Sequence, residues 1–564
     1  MKISRNAGRA AGFRLKRLAC NVMGVCLSVG AVGSAYAFSF DTGNSDVKMS
    51  WDNTLKYSAG WRVRDIDSRV ADNSIGPQAN TNDGDLNFKK GAMISNRLDL
   101  LSEFDLRYKD AYGFRVSGAA WYDDVYHRSN DNPGALGGAL VNYTSVPSNQ
   151  FPAATRSLHG RKAEFRDAFV YAGFTPGDMN VNVKGGQYSQ LYGETLFFGY
   201  NGIAAAQTPL DLVRALSVPN SQFKEIALPV KQVSTQVQIN PNVSVGAYYQ
   251  LEWKKNRIPG AGSYFSFADF ADDGGENVIL GPGAAVHRGD DLKARDSGQG
   301  GAQVKFKTGD LEFGLYAAQF HDKMPQFYVR PGVNARGGAD VGDYFLVYAE
   351  KIKTYGASVS TLVGETNVAA ELSVRNNMPM VANGVTVITN ATTNNSSNPA
   401  YPVGDSLHFN MSAITVLGAS PLWQGASFVG ELAYNRRTKI TKNANQLDPL
   451  ATRDATAIQF VFQPEYFQVA PGLDLQVPIG VGYGVKGRSS VAGVSALMPS
   501  EKGGNISIGV KGDYQKTWQT SLNYTHYYGP SGSVVQYNTA APQLSFKNFH
   551  GDRDFVSLSV QRTF

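Results

Sequence analysis

Gly482, Gly484 and Gly487 stand in the spacing G-x-G-x-x-G. In a strand-turn-helix unit that spacing lets backbone amides approach a dinucleotide pyrophosphate. Here Arg488, Ser489 and Ser490 follow instead of a helix-forming run, so the motif reads as the glycine-rich end of a strand. The chain has no G-x-S-x-G elbow, no H-E-x-x-H and no phosphate-binding lysine loop. Its seven histidines (His127, His159, His287, His321, His408, His526, His550) are scattered, and nothing selects one as the base of a serine nucleophile. A barrel hydrolase with a lipid-facing Ser and His is the weak enzymatic alternative; the expectation is no enzyme and no cofactor. Two acidic clusters, Asp83 with Asp85 and Asp269 with Asp272, Asp273 and Glu276, offer the oxygen ligands that hard cations take. Neither completes a twelve-residue calcium loop, so solvated carboxylates and no metal are expected.

The remaining charges fall into a pattern that names the elements carrying them. Val47, Met49, Trp51, Leu55, Tyr57, Ala59, Trp61 and Val63 share one parity, while Lys48, Asp52, Lys56 and Arg62 share the other. The next segment repeats this, with Ile94, Leu98, Leu100, Phe104, Leu106 and Tyr108 alternating with Arg97, Asp99, Glu103, Asp105 and Arg107. A two-residue period held this long, with aromatics and aliphatics on one face and charges on the other, is what a strand needs between lipid and water. The pattern recurs at 114–126, 165–174, 181–187, 233–239, 243–253, 302–307, 311–320, 344–363, 368–374, 407–417, 426–434, 456–462, 473–485, 506–514, 518–528 and 555–564. That predicts a transmembrane outer-membrane β-barrel, all-β and antiparallel, of about eighteen strands, with sixteen as the lower bound. Two segments fit less well: Pro478 removes a ladder donor, and both faces of 165–174 are apolar.

Connection lengths give an independent reason. Short turns at 110, 176–178, 241–242, 309–310, 364–365, 420–421, 471–472 and 515–516 alternate with long stretches such as 64–91, 127–162, 254–301, 376–406 and 529–553. Short periplasmic turns and long external loops are the habit of outer-membrane barrels, and the alternation puts both ends of the strand series on the periplasmic side. At the carboxy end Val556, Leu558, Val560 and Phe564 share a face and resemble the signal read by the outer-membrane assembly machinery, a predicted partner beside membrane lipid. Arg562 interrupts that row where a long side chain can snorkel.

The first 37 residues supply the address. Lys2, Arg5, Arg9, Arg14, Lys16 and Arg17 precede an apolar run at 18–32 and then Ala35-Tyr36-Ala37, the order of a cleavable secretory signal. Its removal takes six of the 53 basic residues and none of the 47 acidic ones, along with Cys20 and Cys26, so the net charge of +6 becomes zero. A redox pair and a nucleic-acid partner are thereby both excluded from the expectation. The mean hydropathy of −0.26 and the absence of any spanning apolar run after residue 37 leave strands as the only route through a membrane. Residues 38–564 are read as a single barrel domain in the cell outer membrane.

Several stretches resemble a proteobacterial outer-membrane family known as domain of unknown function 1302. They are 53–63 (NTLKYSAGWRV), 82–88 (NDGDLNF), 95–101 (SNRLDLL), 121–123 (WYD), 185–187 (GGQ), 193–194, 224–225, 262–266 (GSYFS) and Asp269-Phe270. The resemblance implies an outer-membrane protein whose genes neighbour those of a periplasmic lipid-carrier-like protein and an inner-membrane exporter. It implies no catalytic residue and no established substrate.

One long connection, 188–229, is too ordered in composition for a spacer. Thr208, Pro209 and Asp211 predict an N-cap, a first-turn proline and a capping acid for a short helix at 209–216, whose Leu210, Leu212, Val213 and Leu216 need a surface. Two placements are open: a loop folded into the barrel, or an external capping helix. The inward version makes Gln187, Glu194, Asp211, Arg214, Lys224 and Glu225 constriction candidates, with Arg62, Arg97, Asp99, Glu103, Asp105, Arg107, Arg115 and Asp123 lining the pore. Mixed signs along that wall predict structural pairing and no strong ion selectivity. The function expected is a porin-like channel passing small solutes by diffusion or through a ligand-specific lumen. The alternative is a plugged barrel for lipid or hydrophobic-compound traffic with a periplasmic carrier, and third is an adhesive role for the Asn-rich loop 376–406.

Overall fold

The computed structural model describes the chain except residues 1–37, 41, 72–76, 136–139, 282, 385, 391, 492–497 and 537–542. The predicted signal segment lies outside the described residues. Eighteen staves form the barrel, nine in each half of the series. The first nine are β1 (Val47–Arg62), β2 (Met93–Tyr108), β3 (Tyr112–Asp123), β4 (Arg161–Phe174), β5 (Asn180–Tyr188), β6 (Val230–Asn240), β7 (Val243–Gln250), β8 (Gln299–Thr308) and β9 (Leu311–Phe320). The second nine are β10 (Ile352–Val363), β11 (Thr366–Pro379), β12 (Val403–Leu417), β13 (Gly425–Lys442), β14 (Asp454–Ala470), β15 (Leu473–Gln476 with Ile479–Lys486), β16 (Gly504–Tyr514), β17 (Trp518–Tyr528) and β18 (Phe555–Thr563). Each pairs antiparallel with its neighbours in sequence, and β18 closes the ring by pairing with both β17 and β1. Closure removes every sheet edge, which is the condition for strands to cross a bilayer.

The alternation sorts side chains as the sequence predicts. Trp51, Leu98, Leu100, Leu315, Ile508 and Leu522 are exposed on the outer face, while Lys56, Arg97, Asp99, Glu371 and Glu431 are buried inside. The two awkward segments have local explanations. In β4 a bulge opposite Val116 and Gly118 turns consecutive residues Arg166 and Asp167 away from the outer face, so Phe165 before it and Val170 after it both face out at opposite parities. Pro478 splits β15 without shifting its register, since Gln476 faces Lys511 and Ile479 faces Ile508. Its carbonyl still accepts the Gly509 amide at 3.1 Å, so one ladder bond alone is missing.

The prediction of one strand over 344–363 is corrected: Asp340–Val347 belongs to a separate five-stranded sheet outside the barrel, and β10 starts at Ile352. The chain turns between them at Lys351, whose φ is +61°. Nor does the strand predicted at 114–126 run its full length, because the Asp123 carboxylate accepts the Val125 amide and caps a short 3-10 turn, Asp124–His127.

The long loops pack into a cap with its own cores. Phe88, Tyr126, Phe151, Tyr264 and Phe265 form one of them, with Phe88 and Tyr264 edge to face at 5.4 Å between ring centres. Under this cap Arg62 and Arg553 share Asp85: Arg553 donates from Nε and Nη2 to its two oxygens at 3.0 and 2.7 Å, and Arg62 lies 3.2 Å away and also 3.0 Å from Asp552. All four side chains are 0–1% exposed. Burial pushes Asp85 upward, but Arg553 and Arg62 outweigh it and hold its carboxyl below the usual range. The sequence match at 82–88 and 262–266 therefore falls on the joint that fastens the cap to β1 and β18.

The expectation of solvated loop acids is corrected too. Asp83 and Asp269 are brought together with both side chains buried, the Asp83 amide donating to Asp269 Oδ2 at 3.0 Å. Neither forms an ion pair among the described residues. Asp272 is buried and paired with Lys255, and the Glu276 carboxylate accepts the amides of Thr144 and Ser145.

Candidate functional site

Residues 188–229 lie inside the barrel, fastened to opposite walls. On the β11–β13 side the fastening uses backbone groups of the segment and inward side chains of the wall. Glu431 Oε2 accepts the successive amides of Leu196, Phe197 and Phe198 at 3.1, 2.5 and 2.9 Å. Glu371 accepts the amides of Glu194 and Ile203 at 2.6 and 2.8 Å. Arg375 donates from one nitrogen to the carbonyls of Tyr200, Asn201 and Gly202, all within 3.0 Å. Asn201 donates to Asn410 Oδ1 at 2.9 Å, and Asn435 donates to Asn201 Oδ1 at 3.1 Å. Gly202 is required here, because a Cβ would sit 2.4 Å from the Glu371 carboxylate. A short irregular stretch thus has its buried amides and carbonyls satisfied by the wall, the condition for non-helical backbone at membrane depth.

On the β1–β4 side the fastening is ionic. The chain runs Lys56, Glu225, Arg214, Asp99, Arg97: Lys56 to Glu225 at 3.4 Å, Arg214 to Glu225 at 3.0 Å, and both Arg214 and Arg97 to Asp99 at 2.8 Å. Lys224 reaches Glu103 at 2.5 Å, and Arg115 pairs with the same carboxylate. Arg257 bridges Asp211 and Glu164, each at 2.6 Å. The indole of Trp121 receives the guanidinium groups of Arg97, Arg214 and Arg257 at 4.8, 5.5 and 5.8 Å.

The predicted helix starts later than its sequence signals place it, at Leu212–Ser217, with Asp211 as N-cap accepting the Arg214 amide at 2.9 Å. Thr208 is not the cap; its hydroxyl donates to the Gln190 carbonyl at 2.8 Å. Pro209 and Leu210 are held extended, since the Leu228 amide donates to the Pro209 carbonyl and the Leu210 amide to Asn256. Tertiary hydrogen bonds here outcompete a first helical turn worth little alone. A second turn of helix, Phe223–Ile226, carries Lys224 and Glu225 to their partners.

The other predicted residues lie elsewhere. Arg62 is sealed in the joint below the cap and lines no passage. Asp123 caps the end of β3, accepting from Ser95, Asn96 and Val125. Gln187 donates to the Arg166 carbonyl at 2.6 Å. Glu194 pairs with Lys305 at 3.1 Å, while Asp105 and Arg107 pair at 2.9 Å next to the short turn after β2. Sequence reasoning missed Glu371, Arg375, Asn410 and Glu431. Their inward parity in β11–β13 was the available signal.

Space remains on the third side, against β14–β18. A cavity of about 720 Å³ lies between the segment and this wall, which the segment meets at its tip, Asn220, and its sides include Leu196, Phe198, Leu216, Phe223, Val461, Phe549 and Phe555. It exists because the wall is bare. Gly480, Gly482 and Gly484 of β15 occupy inward positions; Gly480, opposite Ser507, lines the cavity, while Gly482 lies against Asn505 and Gly484 is covered by the loop after β15. The glycine motif noted in the sequence is therefore part of a strand's smooth inner face. The cavity is bounded by both Gly504 and Lys511 of β16, seven residues apart, so it follows that strand for ~23 Å at ~3.3 Å per residue.

A closed antiparallel barrel of eighteen staves with an apolar outer girdle and an external loop folded inward is an outer-membrane, porin-like barrel. The family model described as "Protein of unknown function (DUF1302)" matches residues 18–564, and the chain belongs to that family. Among solved structures it is similar to OccAB1 of Acinetobacter baumannii, at 11% identity over 94% of this chain and 98% of that one, with a TM-score of 0.40. It is also similar to OpdK of Pseudomonas aeruginosa, solved with vanillate (10% identity, 92% and 98% covered, TM-score 0.38), and to the channel DcaP of A. baumannii (10%, 94% and 99%, 0.36). No curated protein matches the sequence.

Proposed function

We propose that the protein passes small solutes across the outer membrane through the space between segment 188–229 and the bare wall of β14–β18. The observation that carries this is the asymmetry of the fastening. The segment is tied densely to β1–β4 by ion pairs and to β11–β13 by buried hydrogen bonds, with further ties to β7 and β8, whereas an open cavity lies between it and β14–β16, where Gly480 and Ser507 line the wall. The passage is narrow and shaped, which favours a ligand-specific channel over general diffusion. Its apolar sides support a second reading, in which hydrophobic compounds move through the same space to or from a periplasmic carrier.

Single-channel recording on the purified full-length protein tests the reading. Wild-type barrels give small, steady conductance steps, and Glu371→Ala with Glu431→Ala gives larger and noisier ones as the segment loosens. Barrels that stay closed in both forms overturn the channel and leave the second reading.

A further inference from the structure

We propose that this passage selects amphipathic monoanions, a single carboxylate or similar charge on an apolar body, and that Lys511 is the residue that recognises the charge. This rests on the reading of the cavity as the solute's path. All five charged residues that segment 188–229 carries, Glu194, Asp211, Arg214, Lys224 and Glu225, are neutralised by ion pairs. Lys511 differs: it faces the cavity from β16 and forms no hydrogen bond or ion pair among the described residues. Asp513 and Glu465 lie on the same inward face and form no ion pair with it.

Its position is where the passage is pinched. The tip of the segment reaches the far wall at Asn220, which donates to Ser521 Oγ at 2.6 Å and Ser559 Oγ at 3.2 Å. Ser521 is the cross-strand partner of Lys511. A solute descending between Leu216, Phe223 and Gly480 of β15 thus meets an unneutralised ammonium at the level of the tip. The other charges around the cavity do not cancel it. Asp322 and Glu501 stand against Lys323, Arg488 and Lys547, and Glu501 is engaged by the Gly487 amide at 2.8 Å. An apolar body gains by leaving water, and its anionic end gains a charge-assisted hydrogen bond in a site of low dielectric.

Binding and passage are measured separately. Octanoate and octylammonium are titrated calorimetrically into detergent-purified wild type and the Lys511→Gln and Lys511→Arg variants, each first shown by heat-modifiable gel mobility to be folded. The expected result is octanoate bound by wild type and Lys511→Arg, weakened ~10- to 100-fold in Lys511→Gln, with octylammonium bound at least tenfold more weakly than octanoate by wild type. Equal binding of the two probes, no binding of octanoate, or indifference to Lys511→Gln overturns the assignment. Flux of the same probes into liposomes is then compared. Octanoate bound as expected but not carried overturns the channel reading and leaves the site. Flux of both probes at equal rates, unchanged in Lys511→Gln, leaves the channel and overturns the selectivity.

Discussion

The buried carboxylates Asp83 and Asp269 make the cap sensitive to pH, and the sign follows from their surroundings. Burial pushes Asp269 up to about 7 even though backbone amides favour its charged form, and burial together with the Asp269 charge raises Asp83 well above the ordinary carboxylate range. In an opened cap both titrate near ~3.9. A group whose carboxyl is raised in the closed state favours closure only while protonated. The contribution of this pair to closure is therefore full below about pH 4 and is lost as pH rises, the part due to Asp269 by about pH 7. For Asp269 alone, the linkage between pH 5 and pH 8 amounts to about two log units, or ~2.7 kcal/mol, a ~100-fold rise in the opening constant. Amide hydrogen exchange in 82–88, corrected for the intrinsic rate at each pH, reads this directly. Asp269→Asn keeps an oxygen for the Asp83 amide and removes one charge, so its exchange is flatter with pH and slower than wild type at pH 8. Identical pH profiles in the two proteins would falsify the reasoning. So would a wild type whose protection at pH 8 is restored by millimolar calcium, because a cation rather than a proton would then hold the pair together.

The remaining predictions concern the fastenings and the passage. Arg553→Met leaves the buried Asp85 with one guanidinium in place of two and costs ~3–5 kcal/mol, read as protease cleavage of the cap under conditions where wild type is intact. Ser507→Phe projects a ring from this wall into the cavity that Ser507 lines, and reduces single-channel conductance. Arg214→Glu sets a third carboxylate against Asp99 and Glu225, and shows as raised current noise and lower thermal stability, with little change in ion selectivity.

How far the sequence carried these conclusions depended on which physical rule governed each part. The staves were legible because a lipid face and a water face enforce strict alternation, and the break at Arg166 and Asp167 looked anomalous only because a bulge moves the parity by one. Residues such as Arg97, Asp99, Arg214 and Glu225 could be nominated because charges at inward parity must find partners. Which ones met was not legible, since Arg214 and Asp99 are 115 positions apart and nothing local aligns them. Helix start signals at Thr208 misled for the same reason: Asn256, far along the chain, holds Leu210 extended. The acids at 83 and 269 read as solvated because the sequence cannot show that two distant loops share one core.

The distribution of charge around the barrel argues for where the passage lies. A segment placed inside a wide barrel needs anchors, and every anchor consumes a polar side chain of the wall: carboxylates and arginines on β1–β4, then Glu371, Arg375 and Glu431 on β11–β13. Where those anchors stand, the segment and wall are in contact and nothing passes. Along β14–β16 the inward positions include Ala457, Gln459, Val461, Gly480, Gly482, Ser507 and Gly509, short or neutral side chains, and the charged Lys511 among them forms no hydrogen bond or ion pair with the segment among the described residues. A barrel meant only to be plugged has no reason to leave one wall anchored at the segment's tip alone. In the proposed channel the sparsely anchored wall and the ion-pair ladder are thus two halves of one arrangement, in which a fixed segment narrows the lumen and a wall of small residues leaves part of it as cavity.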